Sequence, residues 1–202
     1  MADAFFKLLG SENPVNQTIG SMTQGIGFPL REVEPSISGG DVSVLVERVL
    51  DANSFVDQTP TTLGIPIQVT FGDAQATSYF SLDALGATTC LIAGQYAFRA
   101  KFVMGRRGGS AGIAQIYVRA LIDGTPVGVT SHTIIDNPDI EVPIDYEGVG
   151  DLAVGQVLTF EAVRDTDANN SGGLYAGVPS VAGWASSPSA RMTFDRFVAI
   201  TP

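Results

Sequence analysis

The stretch Gly94–Thr130, GQYAFRAKFVMGRRGGSAGIAQIYVRALIDGTPVGVT, alternates apolar and polar residues, breaks at a glycine-rich loop, alternates again and turns at Asp123-Gly124. Tyr96, Phe98, Ala100 and Phe102 fall on one side, and Gln95, Ala97, Arg99 and Lys101 on the other. Successive side chains of a strand point to opposite faces of its sheet, so a period of two is the mark of a half-buried strand. Ile116, Val118, Ala120 and Ile122 repeat the pattern after the break. Asp-Gly suits a type I′ hairpin turn, in which both central residues take positive φ. The chain is therefore expected to be built from antiparallel hairpins.

The rest of residues 41–202 reads as more short strands with regular punctuation. DVSVLVERVL at 41–50 fits a helix face or a strand, and its β-branched content tips it to strand. Ile65, Ile67, Val69 and Phe71 alternate, with Pro66 making that strand an edge or an irregular one. TSYFSL, TTCLIA, Val127–Ile135, the run Ile140–Tyr146, the run Leu158–Val163 and the run Met192–Ile200 follow. Eight or more short strands with turn signals between them predict an all-β, antiparallel jelly-roll β-sandwich. Residues 1–40 differ: they scatter Phe5, Phe6, Leu8, Leu9, Ile26, Phe28 and Leu30 among glycines and prolines. They read as an extended N-terminal docking arm, with one helical turn at 3–9, that must be covered by its own domain or by a partner. Phe5, Phe6, Leu8, Leu9 and Phe28 are its partner-binding candidates. The segment 165–190 shows no periodicity, and a loop that long inside a compact domain is often functional. Its Leu174, Tyr175 and Trp184 are either tucked against the sandwich or available for surface contact.

Charge narrows the function. Lys and Arg number 11 against 21 Asp and Glu, a formal charge of −10, which argues against a nucleic-acid partner. Arg99, Lys101, Arg106, Arg107 and Arg119 lie close together, and an acidic run from Asp139 to Asp167 follows. Two solvated surfaces are the plain reading; complementary edges between neighbouring subunits are the sharper one. No apolar run approaches the ~20 residues of a membrane span, so no membrane partner is expected. The opening MADAFFKLLGSEN lacks the basic start and long apolar core of a secretory signal, which points to synthesis and folding in a cytoplasm. The single cysteine, Cys90, leaves no disulfide framework or multi-cysteine zinc site, and its apolar surroundings make it a buried small hydrophobe.

No constellation makes an enzyme. GGSAG at 108–112 matches a hydrolase nucleophile motif around Ser110, but the segment after it alternates like a strand where that motif needs a helix. His132 is the only histidine, and Asp123, the only acid between it and Ser110, is committed to a turn. DTDANNS at 165–171 spaces oxygen ligands as a calcium loop begins, yet Asn170 and Ala176 stand where an EF-hand wants Gly and Glu. Arg106-Arg107-Gly108-Gly109 reads as a solvated loop tip. No catalytic residue, metal or cofactor is expected.

The run GATTCLIAGQYAFRAKFVMGRRGGSAGIAQIYVRALIDGTPVG resembles the central strands of jelly-roll domains of the C1q and tumour-necrosis-factor type found in tailed-phage virion proteins. The pieces that match are Gly94–Phe98, the strand into Asp123-Gly124, and Leu152–Leu158, together spanning roughly residues 63–200. The resemblance implies a homotrimer without catalytic residues. It implies a structural virion protein, either a capsid decoration (cement) protein or a head- or tail-fibre tip that binds a host receptor or glycan. No long fibre-forming or coiled-coil stretch is present, which favours decoration. The expected place is then the capsid exterior of a virion made in the host cytoplasm, with the major capsid protein as partner.

Overall fold

The computed structural model of the chain describes residues 43–72, 74–107, 112–138, 140–165 and 172–200. The expected arm, with Phe5, Phe6, Leu8, Leu9 and Phe28, lies outside the described residues, as do Ser110 and most of the DTDANNS run. Among the described residues twelve strands follow one another: β1 (Ser43–Ser54), β2 (Ile67–Gln68), β3 (Gln75–Ala76), β4 (Phe80–Leu82), β5 (Thr88–Cys90), β6 (Gly94–Arg106), β7 (Ala114–Ile122), β8 (Thr125–Ile135), β9 (Glu141–Leu152), β10 (Val157–Arg164), β11 (Gly172–Leu174) and β12 (Ala190–Ile200).

They make two antiparallel sheets. One runs β1-β12-β6-β9, with β11 continuing the β12 side of β6; the other runs β3-β4-β5-β10-β7-β8, with β2 also on β10. If the short strands β2–β5 are counted as one, the strand orders are 1-8-3-6 and 2-7-4-5. That is the double Greek key of a jelly roll. The fold is thus an all-β antiparallel jelly-roll sandwich. Residues 43–50 of the segment 41–50 lie in β1, and Asp123 (φ 50) and Gly124 (φ 76) form the type I′ turn between β7 and β8.

The inner faces close on an aromatic core. Phe160 of β10 lies 5.8 Å from Phe71, 5.4 Å from Phe102, 5.7 Å from Tyr146 and 6.3 Å from Phe98, centroid to centroid. Such tilted and edge-on pairs are the preferred aromatic geometry. Gly148, paired with Phe98 across β9 and β6, makes room for its ring: a Cβ there would stand 2.1 Å from Phe98 Cζ. Tyr146 donates from its hydroxyl to the Val127 carbonyl at 2.9 Å, tying β9 of one sheet to β8 of the other. Cys90 is fully buried and unpaired; burial pushes its thiol up, so it is a poor nucleophile.

Three sequence expectations change. The segment 165–190 is not a plain loop: it contributes β11, and Gln58 and Leu174 exchange backbone hydrogen bonds of 2.8 and 2.9 Å. The Ile65–Phe71 alternation yields only the two residues of β2, because Pro66 removes a ladder donor; Val69 and Phe71 still reach the core, while Ile65 stays exposed. Leu121, which the alternation of β7 places on the outer face, is 5% exposed, lying in register between Pro126 and Thr159.

Candidate interaction surfaces

Three surfaces of the sandwich differ sharply in chemistry. The first is the outer face of the β1-β12-β6-β9 sheet. Here the basic strand β6 lies antiparallel to the acidic strand β9, so Arg99 stands opposite Glu147 and Lys101 opposite Asp145. Arg99 approaches Glu147 at 3.7 Å. Arg48 pairs with Asp195, and Arg191 holds Asp51 at 2.7 and 3.3 Å. Arg191 is held above its ordinary value by the hydrogen bond to Asp51. Beyond this face Arg119 pairs with Glu161 at 2.8 Å. Parts of the basic and acidic runs therefore meet within one chain as exposed cross-strand neighbours, so they do not form two separate surfaces here.

Arg106 and Arg107 are likewise not a free loop tip. Arg106 is buried and donates to the Gly112 carbonyl. Arg107 pairs with Asp57 at 2.8 Å and Glu141 at 3.0 Å, donates to the Ala176 carbonyl, and lies 4.6 Å over the Tyr175 ring. The Glu141 hydrogen bond comes first among the causes that raise its pKa.

The second surface is the flank at β8. This edge strand, TPVGVTSHTII, holds no Asp, Glu, Lys or Arg. Among the described residues it pairs with β7 alone, and the ladder jumps from Val118↔Ser131 to Ala120↔Val127. Gly128, Val129 and Thr130 therefore face Arg119 as a bulge, with Gly128 at φ 71. Bulges re-aim side chains and stop an edge from recruiting a further strand. What remains is a side-chain surface: Val129 is 44% exposed and Ile134 56%, and Ile113 and Ile140 are exposed beside the strand's end. His132 stacks on Tyr117 at 5.1 Å, and Gln115 donates to the Tyr117 hydroxyl at 2.6 Å. Asp123, as expected of a turn residue, accepts from the Val157 amide at 2.9 Å.

The third surface is a tip. Gly177 and Ser187 exchange backbone hydrogen bonds of 3.1 and 2.9 Å and pinch the loop between them. That loop bears Val178, Val181 and Trp184, with Trp184 75% exposed. Leu174 and Tyr175, grouped with Trp184 as possible contacts, are buried instead: Leu174 sits in the core and Tyr175 under Arg107. Leu174 ends β11, which continues the ladder of β6, and the Tyr175 amide follows it by donating to the Val103 carbonyl at 2.9 Å, a tertiary demand the local sequence does not announce. Phe55 and Val56 are exposed apolar neighbours that the sequence reading missed; Ser189 ties them to the tip's base by donating to the Val56 carbonyl at 2.7 Å.

Among the described residues no group of three or more His, Cys, Asp or Glu could hold a metal ion, and no helix is long and apolar enough to cross a membrane.

No family model and no curated protein matches the chain. Solved structures do. Murine APRIL at pH 5.0 is similar at 15% identity and a TM-score of 0.44, over 74% of this chain and 98% of that one. The globular domain of zebrafish complement 1qA protein is similar at 13% identity and a TM-score of 0.42, over 77% of this chain and 100% of that one.

Proposed function

We propose that this chain is a structural virion subunit: a homotrimeric capsid decoration protein that cements a bacteriophage shell from outside by binding the major capsid protein across neighbouring subunits. The observation that carries the assembly half is the β8 flank. This eleven-residue edge carries no Asp, Glu, Lys or Arg and exposes Val129 and Ile134. Exposed apolar patches rimmed by polar residues mark contact sites. The bulge directs that contact through side chains and so favours a closed assembly over an open strand-to-strand one. The shell half rests on the resemblance to virion jelly rolls and on the apolar residues 1–40.

Trp184 on its pinched, uncharged loop supports a second reading, a fibre-tip module that binds a host receptor or glycan. One set of samples separates the two. Light scattering of the full chain should give a trimer, and Val129→Lys with Ile134→Lys a folded monomer. Co-sedimentation with undecorated capsids should be lost on deleting residues 2–30 and retained in Trp184→Ala. A monomeric wild-type chain removes the assembly half. Capsid binding that ignores the deletion removes the arm, and host-cell binding lost in Trp184→Ala selects the fibre tip.

A further inference from the structure

We infer that the outer face of the β1-β12-β6-β9 sheet carries a binding site for a sugar acid, a small ligand with both a carboxylate and hydroxyls. This stands apart from the assembly reading, since it uses a different face. A shallow cleft of about 240 Å³ opens there, whose charged lining is Arg48, Arg99, Lys101, Arg191, Asp145 and Glu147. It is smaller than the ~300–1,000 Å³ of drug-sized pockets, so its occupant is of single-residue size.

Lys101 and Arg191 stand directly opposite each other in the β6–β12 ladder. Like charges directly opposite destabilise a sheet, and nothing in the core requires these two. Arg191 is fixed in place by its two hydrogen bonds to Asp51. Lys101 comes within 4.0 Å of no carboxylate among the described residues, although Asp145 is its cross-strand partner. Arg99 lies two residues along on the same face, and Glu147 approaches it only at 3.7 Å, leaving guanidinium donors to spare. Four cations thus line the cleft: Asp195 meets Arg48, Asp51 meets Arg191, Glu147 approaches Arg99 only at 3.7 Å, and Lys101 is the charge left unmatched among the described residues. Local rules broken without structural gain are typical of functional sites. An oxyanion placed between Lys101 and Arg191 removes the repulsion, and Arg99 can complete its coordination.

The rim narrows the class. Asp145 and Glu147 border the cleft on the β9 side and are exposed acceptors. They repel a bare polyanion but accept from hydroxyls. A ligand that satisfies both halves has its carboxylate on the cations and its hydroxyls toward β9.

Thermal unfolding of the full chain tests this with D-glucuronate, glucose and sodium sulfate, each compared with sodium chloride at equal ionic strength. At ten times its dissociation constant, glucuronate should raise the wild-type midpoint by about 3–6 °C. Lys101→Met keeps the apolar stem and removes the charge. It should unfold no earlier than wild type without ligand and should lose the glucuronate shift. Asp145→Asn should weaken it. An equal shift in wild type and Lys101→Met, or no shift in either, overturns the site. Glucose matching glucuronate removes the cationic half, and sulfate matching it with Asp145→Asn unaltered removes the sugar.

Discussion

The β6–β9 face and the β8 edge are neighbours joined by the Tyr146–Val127 hydrogen bond, yet they treat charge in opposite ways. On the first, Arg99, Lys101, Asp145 and Glu147 are set against one another across two strands of the same chain. On the second, eleven residues pass without a formal charge. The charged face satisfies most of its electrostatics internally, and such exposed pairs contribute only about 0–1 kcal/mol each. It is a soluble surface with one local exception at Lys101. The β8 edge has no such charge pairs, and it exposes Val129 and Ile134. A charge asymmetry along the sequence thus need not become a charge asymmetry on the surface, since strand register can bring the two signs together.

The largest perturbation of this contrast is Gly148→Val. It drives a side chain into the Phe98 ring, which is hemmed by Tyr146, Phe160 and Phe194 at 6.2, 6.3 and 6.2 Å. The cost should reach at least about 3 kcal/mol, the upper part of the range for overpacked cores. Chemical denaturation reads it, and pairing the change with Phe98→Leu should recover part of the loss. An unaltered midpoint would mean that β9 is not seated on β6 in this register, and the charge ladder would go with it.

Tyr146→Phe cuts the seam between the two regions and should cost about 1 kcal/mol, the net worth of one hydrogen bond. It also has a pH signature. Burial raises the Tyr146 phenol above its ordinary value of 10.0, and burial likewise leads the causes that raise Tyr96. The unfolded chain therefore loses these protons first. Their stabilisation is complete below about pH 10 and falls as pH rises through the folded values. Denaturation midpoints at pH 8 and pH 11 should differ less in Tyr146→Phe than in wild type. Equal differences would place that phenol in water.

The contrast between the regions also shows what could be read from residues alone. The inward face of β6, the Asp123-Gly124 turn and the inner residues of β10 were legible, because a period of two and a positive-φ dipeptide are local signals. β11 was not. Gly172–Leu174 has no alternation to read and becomes a strand because β6 runs past the start of β12 and has a ladder to complete there. Leu121 misled for a related reason: its exposure depends on Pro126 and Thr159 beside it, not on its own place in the pattern. Lys101 facing Arg191 was equally hidden, since the two meet only through register.

The smallest effect is the charge swap Arg99→Glu with Glu147→Arg. Each single change should cost less than about 1 kcal/mol, and the double change should recover most of it. A double-mutant cycle in urea measures the coupling. A coupling above about 2 kcal/mol would show that charge, and not the aromatic core beneath, sets the β6–β9 register.

β1 and β12 are neighbours in the sheet though far apart along the chain: Arg48 and Asp195, which pair, are separated by 147 residues. During synthesis β1 leaves the ribosome early and has no ladder to join until β12 follows. The β7–β8 hairpin, and then the β6–β9 pairing that encloses it in sequence, can form in the meantime. β1 must wait as an unpaired strand, exposed to whatever else offers an edge. Its Arg48, Glu47 and Asp51 are then of use before the fold exists, since charges on a waiting strand discourage the wrong pairing while the right one is still being made.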